Sequence, residues 1–251
     1  MLQIDVLTIF PRMFAAPLDE GIVARARERG LARIGVHDLR EHTTDKHRSV
    51  DDKAFGGGPG MVMKVEPFAR ALQSLMPEGR GARTAVVLLS PRGQRFDQQC
   101  AVEFAGLERL VLLCGRYEGI DERVREALCT HELSLGDFVL TGGETAALAV
   151  IEASVRLLPG ALGDDESAAC DSFADGLLDH PHYTRPAENE GLAVPQVLLS
   201  GDHGRVRAWR RKQALRATLE RRPELLPAAR LSSEDRALLA ELESERRALA
   251  S

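Results

Sequence analysis

The apolar run Leu110-Val111-Leu112-Leu113-Cys114 stops at Gly115, and Arg116, Tyr117 and Glu118 follow at once. Ile120, Val124, Ala127 and Leu128 then recur at helical spacing. This pattern describes a buried strand that delivers its C-terminal end into a polar loop before a helix. In open α/β sheets, ligands sit outside the carboxyl ends of the strands. Val86–Gly93 and Leu133–Gly143 share the form, the latter ending Leu135-Gly136-Asp137-Phe138-Val139-Leu140-Thr141-Gly142-Gly143. Glycines in such loops let backbone amides and carbonyls approach a bound molecule closely. Three loops on one sheet edge could enclose a flat heterocycle such as adenine, with backbone hydrogen bonds and apolar walls. Each loop alone also reads as a plain connecting turn.

Other groups carry weaker signals. Neither a G-x-G-x-x-G nor a Walker A pattern occurs, which argues against an ordinary dinucleotide or P-loop site. Gly56-Gly57-Gly58-Pro59-Gly60 suits either an anion-binding nest or a flexible loop. His42, Asp45, His47, Asp51 and Asp52 cluster ahead of it, but their spacing matches no metal-ligand pattern. Solvated loop polarity accounts for them. His180 and His182, either side of Pro181, read the same way, so no metal ligand is assigned. Asp171, in Cys170-Asp171-Ser172-Phe173, is either a general base or a solvated charge. Arg156, near the end of an apolar helix, complements the helix dipole or stabilises an anion. Residues 205–222 hold eight cations and one anion. At roughly 100° per residue, Arg207, Arg210, Arg211, Arg221 and Arg222 share about a third of the helix circumference. Val206, Trp209, Leu215 and Leu219 avoid that arc. In a chain of net charge −5, this is a phosphate-backbone contact or an ordinary solvated face.

The elements that must position these groups alternate. Strands are expected at 4–10, Ile34–His37, Ala85–Leu89 (stopped at Ser90-Pro91-Arg92-Gly93), Leu110–Cys114 and, one or two of them, within Glu132–Val139. Helices are expected at about 12–30, Val65–Leu75, after a cap at Asp97, at 119–129 and at Glu144–Leu158, the last apolar almost all round and so buried on several sides. Residues 41–60 read as a long functional loop. The alternation predicts a parallel α/β sheet. Residues 161–190 hold eight acidic residues against one arginine and read as an exposed linker. Beyond it the chain is helical, and no internal repeat is visible.

At 251 residues, with 44% hydrophobic and 28% charged residues, the chain is long enough for one or two folded domains. Its four cysteines form no C-x-x-C pair and are too few for a disulfide scaffold, so a reducing compartment is expected. The N-terminus lacks a basic region and does not read as a signal peptide. No apolar stretch approaches spanning length. The expectation is a soluble, cytoplasmic protein.

On these residues the chain resembles the TrmD family, the bacterial tRNA (guanine-37-N1)-methyltransferases of the SPOUT superfamily. The matching stretches are Asp5–Phe14, His47–Met61, Leu89–Gly93, Leu113–Val124, Leu135–Glu144, Asp171–Pro186, Val194–Gly201 and Trp209–Pro223, in order over roughly residues 1–225. Thr141 stands where the family often has Ser, and Arg92 is one of several residues used at its position.

The resemblance implies an α/β fold of SPOUT type whose C-terminal part is tied in a trefoil knot, against the general rule on threading. It implies a methyltransferase domain over 1–160, a flexible linker over 161–175 and a small helical tRNA-binding domain over 176–251. The methyl donor S-adenosylmethionine would be held by Leu89, Ser90, Pro91, Gly93, Gly115, Tyr117, Glu118, Leu135, Gly136, Asp137, Phe138, Val139, Leu140, Gly142 and Gly143. The tRNA would be contacted by Asp52, Gly58, Arg116, Arg207, Arg210 and Arg211. The partners would be tRNA and a second copy in a homodimer, with neither DNA nor membrane. Mg²⁺ is implied, with no site assigned. Asp171 would take the N1 proton of guanine. An ordinary aspartate titrates near pH 3.9, so that role calls for a desolvated pocket or help with charge developing on O6. Arg156 would give that help. Other classes remain open on the residues alone: a related enzyme acting on a ribose 2′-oxygen, a non-catalytic RNA-binding module and, more remotely, an NAD-dependent enzyme.

Overall fold

The computed structural model describes residues 1–163 and 171–250. The chain divides into two compact units, Met1–Asp165 and Glu166–Ser251. The first is built on five strands: β1 (Leu2–Thr8), β2 (Ala32–Asp38), β3 (Thr84–Arg95), β4 (Arg109–Cys114) and β5 (His131–Ser134). They form one parallel sheet in the order β2-β1-β4-β3-β5. The helices are α1 (Gly21–Glu28), α2 (Val65–Leu75), α3 (Gln98–Ala105), α4 (Glu122–Leu128) and α5 (Glu144–Val155).

Both faces of the sheet are covered, as parallel sheets require. Leu110, Leu112 and Cys114 pack into a core with residues of α1, α3 and α5, whereas Val111 and Leu113 join Phe68, Leu72 and Val124 of α2 and α4. This split follows from strand alternation. It explains why β4 reads as a continuous apolar run.

Several expected boundaries move, each for a local reason. The expected 12–30 helix is broken into a 3₁₀ turn at Pro11–Phe14, one turn at Ala15–Leu18 and α1. Gly21, at φ +65, interrupts it, and Gly30, at φ +70, ends it as read. The expected 119–129 helix starts only at Glu122, because Gly119 has φ +134 and Asp121 caps the first turn by accepting from the Arg123 amide. The expected Glu132–Val139 strand ends at Ser134. Helix α5 stops at Val155 and buries one side, with Thr145, Ala149 and Glu152 exposed. Within the expected 41–60 loop, Asp51–Asp52 pairs antiparallel with Val62–Met63.

The second unit contains α6 (His203–Arg221) and α7 (Ser233–Ala250). Its core joins Leu177, Leu215, Leu219 and Leu242. Of the stretch expected as a linker, 164–170 lie outside the described residues and 171–175 open this unit. There the Phe173 amide donates to the Leu177 carbonyl at 2.7 Å.

Candidate functional site

Three loops at the carboxyl edge of the sheet build the site. Strand β3 leaves the sheet after Leu89 and rejoins it at Gln94, both residues pairing with Leu133. Ser90-Pro91-Arg92-Gly93 is therefore an excursion within a longer strand. The expected Ala85–Leu89 strand is corrected to run through it. The Ser90 hydroxyl accepts from the Arg92 amide at 3.1 Å. A Cβ at Gly93 would lie 2.4 Å from the backbone of Glu132 and Leu133.

After β4, the Gly119 amide closes a turn onto the Arg116 carbonyl at 3.2 Å. Tyr117 sits at φ +61, a region non-glycine residues seldom occupy. The Glu118 amide donates to the Met61 carbonyl at 3.0 Å and the Asp121 amide to that of Met63 at 2.9 Å. The end of the glycine-rich loop is thus fastened along this turn.

After β5, the Ser134 hydroxyl donates to the Gly136 carbonyl at 3.0 Å. The loop then folds back, and the Gly143 amide donates to the Gly115 carbonyl at 3.0 Å. Arg116 and Gly142 form an antiparallel bridge. A Cβ at Gly143 would sit 2.8 Å from Cys114 Cα, so two loops meet where only glycine fits.

Together the loops enclose a cavity of about 370 Å³, a size suited to a small molecule. Leu89, Ser90, Pro91, Gly115, Tyr117, Glu118, Leu135, Gly136, Phe138, Val139, Leu140, Gly142 and Gly143 line it. Two residues expected with them do not. Gly93 lies against the β5 backbone, and the Asp137 side chain, 95% exposed, turns to Arg95 at 3.5 Å. Three carboxylates border the cavity, Glu118, Glu122 and Glu132. Glu122 pairs with Arg92 at 3.2 Å, and its hydrogen bond from Arg125 holds its carboxyl below the usual range. Glu118 enters no salt bridge among the described residues, and its side chain packs on Gly60.

Beneath the loops lies a polar group that sequence reasoning missed. Glu144, fully buried, accepts from the Thr8 hydroxyl at 2.7 Å and from Arg116 Nε at 2.9 Å. The Arg116 guanidinium stacks 4.6 Å above the Phe10 ring. Arg116 was expected among the tRNA contacts, but its side chain is 16% exposed and tied to Glu144. Its charge is paired inside the fold. Burial next to Glu144 pushes the Cys114 thiol well above its ordinary value, so it stays protonated. The signal available for Glu144 was a carboxylate opening a largely apolar helix straight after two glycines.

The remaining expected residues fall partly in the first unit and partly in the second. Arg156 caps α5, its amide donating to the Glu152 carbonyl at 3.1 Å. Asp171 stands in the second unit, its carbonyl accepting from the Ala174 amide at 3.2 Å. Asp52 lies exposed on the small two-stranded ladder, and Gly58, at φ +114, on the exposed loop beyond it. On α6 the cations divide. Arg211 binds Asp235 through Nε at 2.7 Å and Nη2 at 2.9 Å and also contacts Asp175. It was expected on the tRNA-facing arc and is instead half-buried in an internal cluster. Arg222 pairs with Glu224 and sits 5.9 Å from the Phe173 ring. Lys212 and Arg216 pair with Glu245 of α7. Arg205, Arg207, Arg210 and Arg221 are exposed and form no salt bridge among the described residues.

Comparison with known proteins gives this arrangement a context. The family model described as tRNA (Guanine-1)-methyltransferase TrmD matches residues 2–228. A tRNA (guanine-N(1)-)-methyltransferase of Geobacter sulfurreducens is 54% identical over 244 residues, covering 97% of this chain and 99% of that protein. One from Moorella thermoacetica is 54% identical, covering 96% of each chain. One from Dehalococcoides mccartyi is 51% identical, covering 97% of this chain and 98% of that protein. A match of this length and identity, on a parallel sheet carrying the three-loop cavity, places the chain in the TrmD family of tRNA (guanine-1)-methyltransferases.

Proposed function

We propose that this chain transfers a methyl group from S-adenosylmethionine to N1 of guanine 37 in tRNA, next to the anticodon. The single observation that carries the donor assignment is the cavity of about 370 Å³ gathered from three strand ends. Its donor-sized volume, its walls of Leu89, Leu135, Phe138 and Leu140, and its backbone-lined glycine corners suit a purine and a thioether. Glu118, on its border and without a salt bridge among the described residues, suits the cationic end of the donor. When bound, S-adenosylmethionine supplies an electrophilic methyl group on a sulfonium.

The chain's own residues then have three tasks. Asp171 accepts the N1 proton of guanine as general base. Arg156 stabilises the negative charge that develops on O6. The loops of the cavity hold the methyl donor in line with N1, which lowers the entropic part of the barrier. The tRNA backbone is bound by the exposed cations of α6, Arg207 and Arg210 among them, with Asp52 and Gly58 nearer the modified base. Arg211 supports α6 from within.

The finer reading includes a knotted SPOUT arrangement of the three loops, a homodimer and a cytoplasmic setting. No helix among the described residues is long and apolar enough to cross a membrane. Mg²⁺ finds no protein cage among the described residues. The one grouping of three candidate ligands contains two imidazoles, which does not suit a cation that takes oxygen donors.

The test is Asp171→Asn. Turnover should fall by several orders of magnitude, while calorimetry with S-adenosylmethionine shows affinity within a few-fold of wild type. Wild-type turnover of the variant, or a nucleoside product other than 1-methylguanosine by mass spectrometry, overturns the reading.

A further inference from the structure

In the second unit, Asp179, His180 and His182 each place one ligand atom within 4.8 Å of the other two. Three features make this more than a polar surface. First, His182 Nε2 already meets Asp179 Oδ2 at 2.8 Å, and His180 Nε2 lies 3.8 Å from Asp179 Oδ1. Donors in a tetrahedral zinc site stand about 3.3–3.6 Å apart, given metal–ligand bonds near 2.0–2.2 Å. The two Asp179–imidazole distances, one to each carboxylate oxygen, bracket that spacing.

Second, His180 Nδ1 lies 3.2 Å from the Pro181 carbonyl. A proton on Nδ1 donates there and leaves the Nε2 lone pair free. That backbone hydrogen bond to the opposite ring nitrogen is how metal-binding histidines are usually oriented. Asp179 is held likewise, its Oδ1 accepting from the His180 amide at 2.7 Å.

Third, His180 and His182 open onto a second cavity of about 420 Å³, bordered also by Arg185 and Arg210. Two cations among its lining residues favour an anionic fourth ligand.

We propose that Asp179, His180 and His182 form a binding site for a divalent transition metal of the zinc class, with its open coordination position facing this cavity. Imidazole and carboxylate donors suit Zn²⁺, Co²⁺ or Ni²⁺. The open position fits a phosphate oxygen. Metal binding would pin residues 179–183 and, through them, Tyr183, whose ring is 6.3 Å from Trp209 of α6.

The site is tested on the untagged full-length protein, stripped of metal by chelation, with neither tRNA nor methyl donor present. Titration with Co²⁺ alone should give one saturable equivalent, with visible absorption bands of low-coordinate cobalt and quenching of the chain's one tryptophan, Trp209. Zn²⁺ should abolish the bands. His182→Ala, at a side chain 72% exposed, should weaken binding at least ten-fold, and so should Asp179→Asn. Identical far-ultraviolet dichroism would establish that both variants remain folded. Absence of saturable cobalt binding in the wild type, or unchanged affinity in both folded variants, overturns the proposal.

Discussion

Glu144 has both carboxylate oxygens occupied, one by the Thr8 hydroxyl and one by Arg116. A carboxylate with no solvent exposure is tolerable only with such partners. It holds Arg116, and with it the turn after β4, against the returning loop that ends at Gly143. Removing the carboxylate leaves a mostly buried guanidinium without its partner. Glu144→Ala should therefore lower stability by about 3–5 kcal/mol, and Glu144→Gln by less, as read by denaturant unfolding. S-adenosylmethionine affinity in calorimetry should fall with it, since two of the three cavity loops lose their shared anchor. A fully stable alanine variant would show that Arg116 and Thr8 find other partners.

The β3 excursion is the clearest case at the scale of the element. Strand β3 pairs with β5 on both sides of Ser90–Gly93, so the sheet tolerates the detour only if the chain returns without a side chain in the way. A Cβ at Gly93 would meet the β5 backbone at 2.4 Å, whereas one at Gly81 would meet only the Thr84 hydroxyl at 3.5 Å. Gly93→Ala should cost on the order of 3 kcal/mol by overpacking and abolish donor binding, while Gly81→Ala leaves the melting temperature within a degree or two. Equal melting curves for the two variants would contradict the register. Helix α6 shows another side of element-scale control. Its cations are alike in sequence, yet Lys212 and Arg216 face acidic side chains of α7 and Arg211 faces Asp175 and Asp235, whereas Arg205, Arg207, Arg210 and Arg221 are exposed and in no salt bridge among the described residues.

At the scale of the whole molecule, the two units carry separate cores and different electrostatic supports. In the second unit the hydrogen bonds from Arg211, reinforced by Ser232, hold the Asp235 carboxyl down at about 2, against the usual 3.8. A depressed carboxylate stabilises the fold above its unfolded pKa and ceases to do so as pH falls through its folded one. The contribution, on the order of 2 kcal/mol, should be intact above pH 3.8 and disappear toward pH 2. Trp209, the chain's one tryptophan, reports on this unit. Denaturant titrations followed by its fluorescence should show midpoints falling between pH 4 and 2. Asp235→Asn should be less stable at pH 7 and lose most of that slope. A parallel slope in the variant would assign acid sensitivity to other carboxylates.

Much of this was legible along the chain. The apolar run Leu110–Cys114 and its arrest at Gly115 located β4 and its loop, because strand burial and glycine backbone freedom are properties of a few consecutive residues. Asp97 was legible as a helix cap for the same reason: its side chain accepts from an amide three residues ahead, at Cys100. The succession of motifs was enough for the family. What the tertiary structure alone decided were partnerships across the chain. Thr8 and Glu144 are 136 residues apart, the Leu89 and Gln94 pairings converge on Leu133, and Arg211 is claimed by Asp235 where Arg207 is not. Asp179, His180 and His182 were legible as neighbours, but not as three ligand atoms within 4.8 Å of one another. A charged or glycine residue carries no local record of what will approach it. Its role depends on the dielectric and the neighbours the folded path brings, and those exist only once the sheet, its loops and the second core have formed.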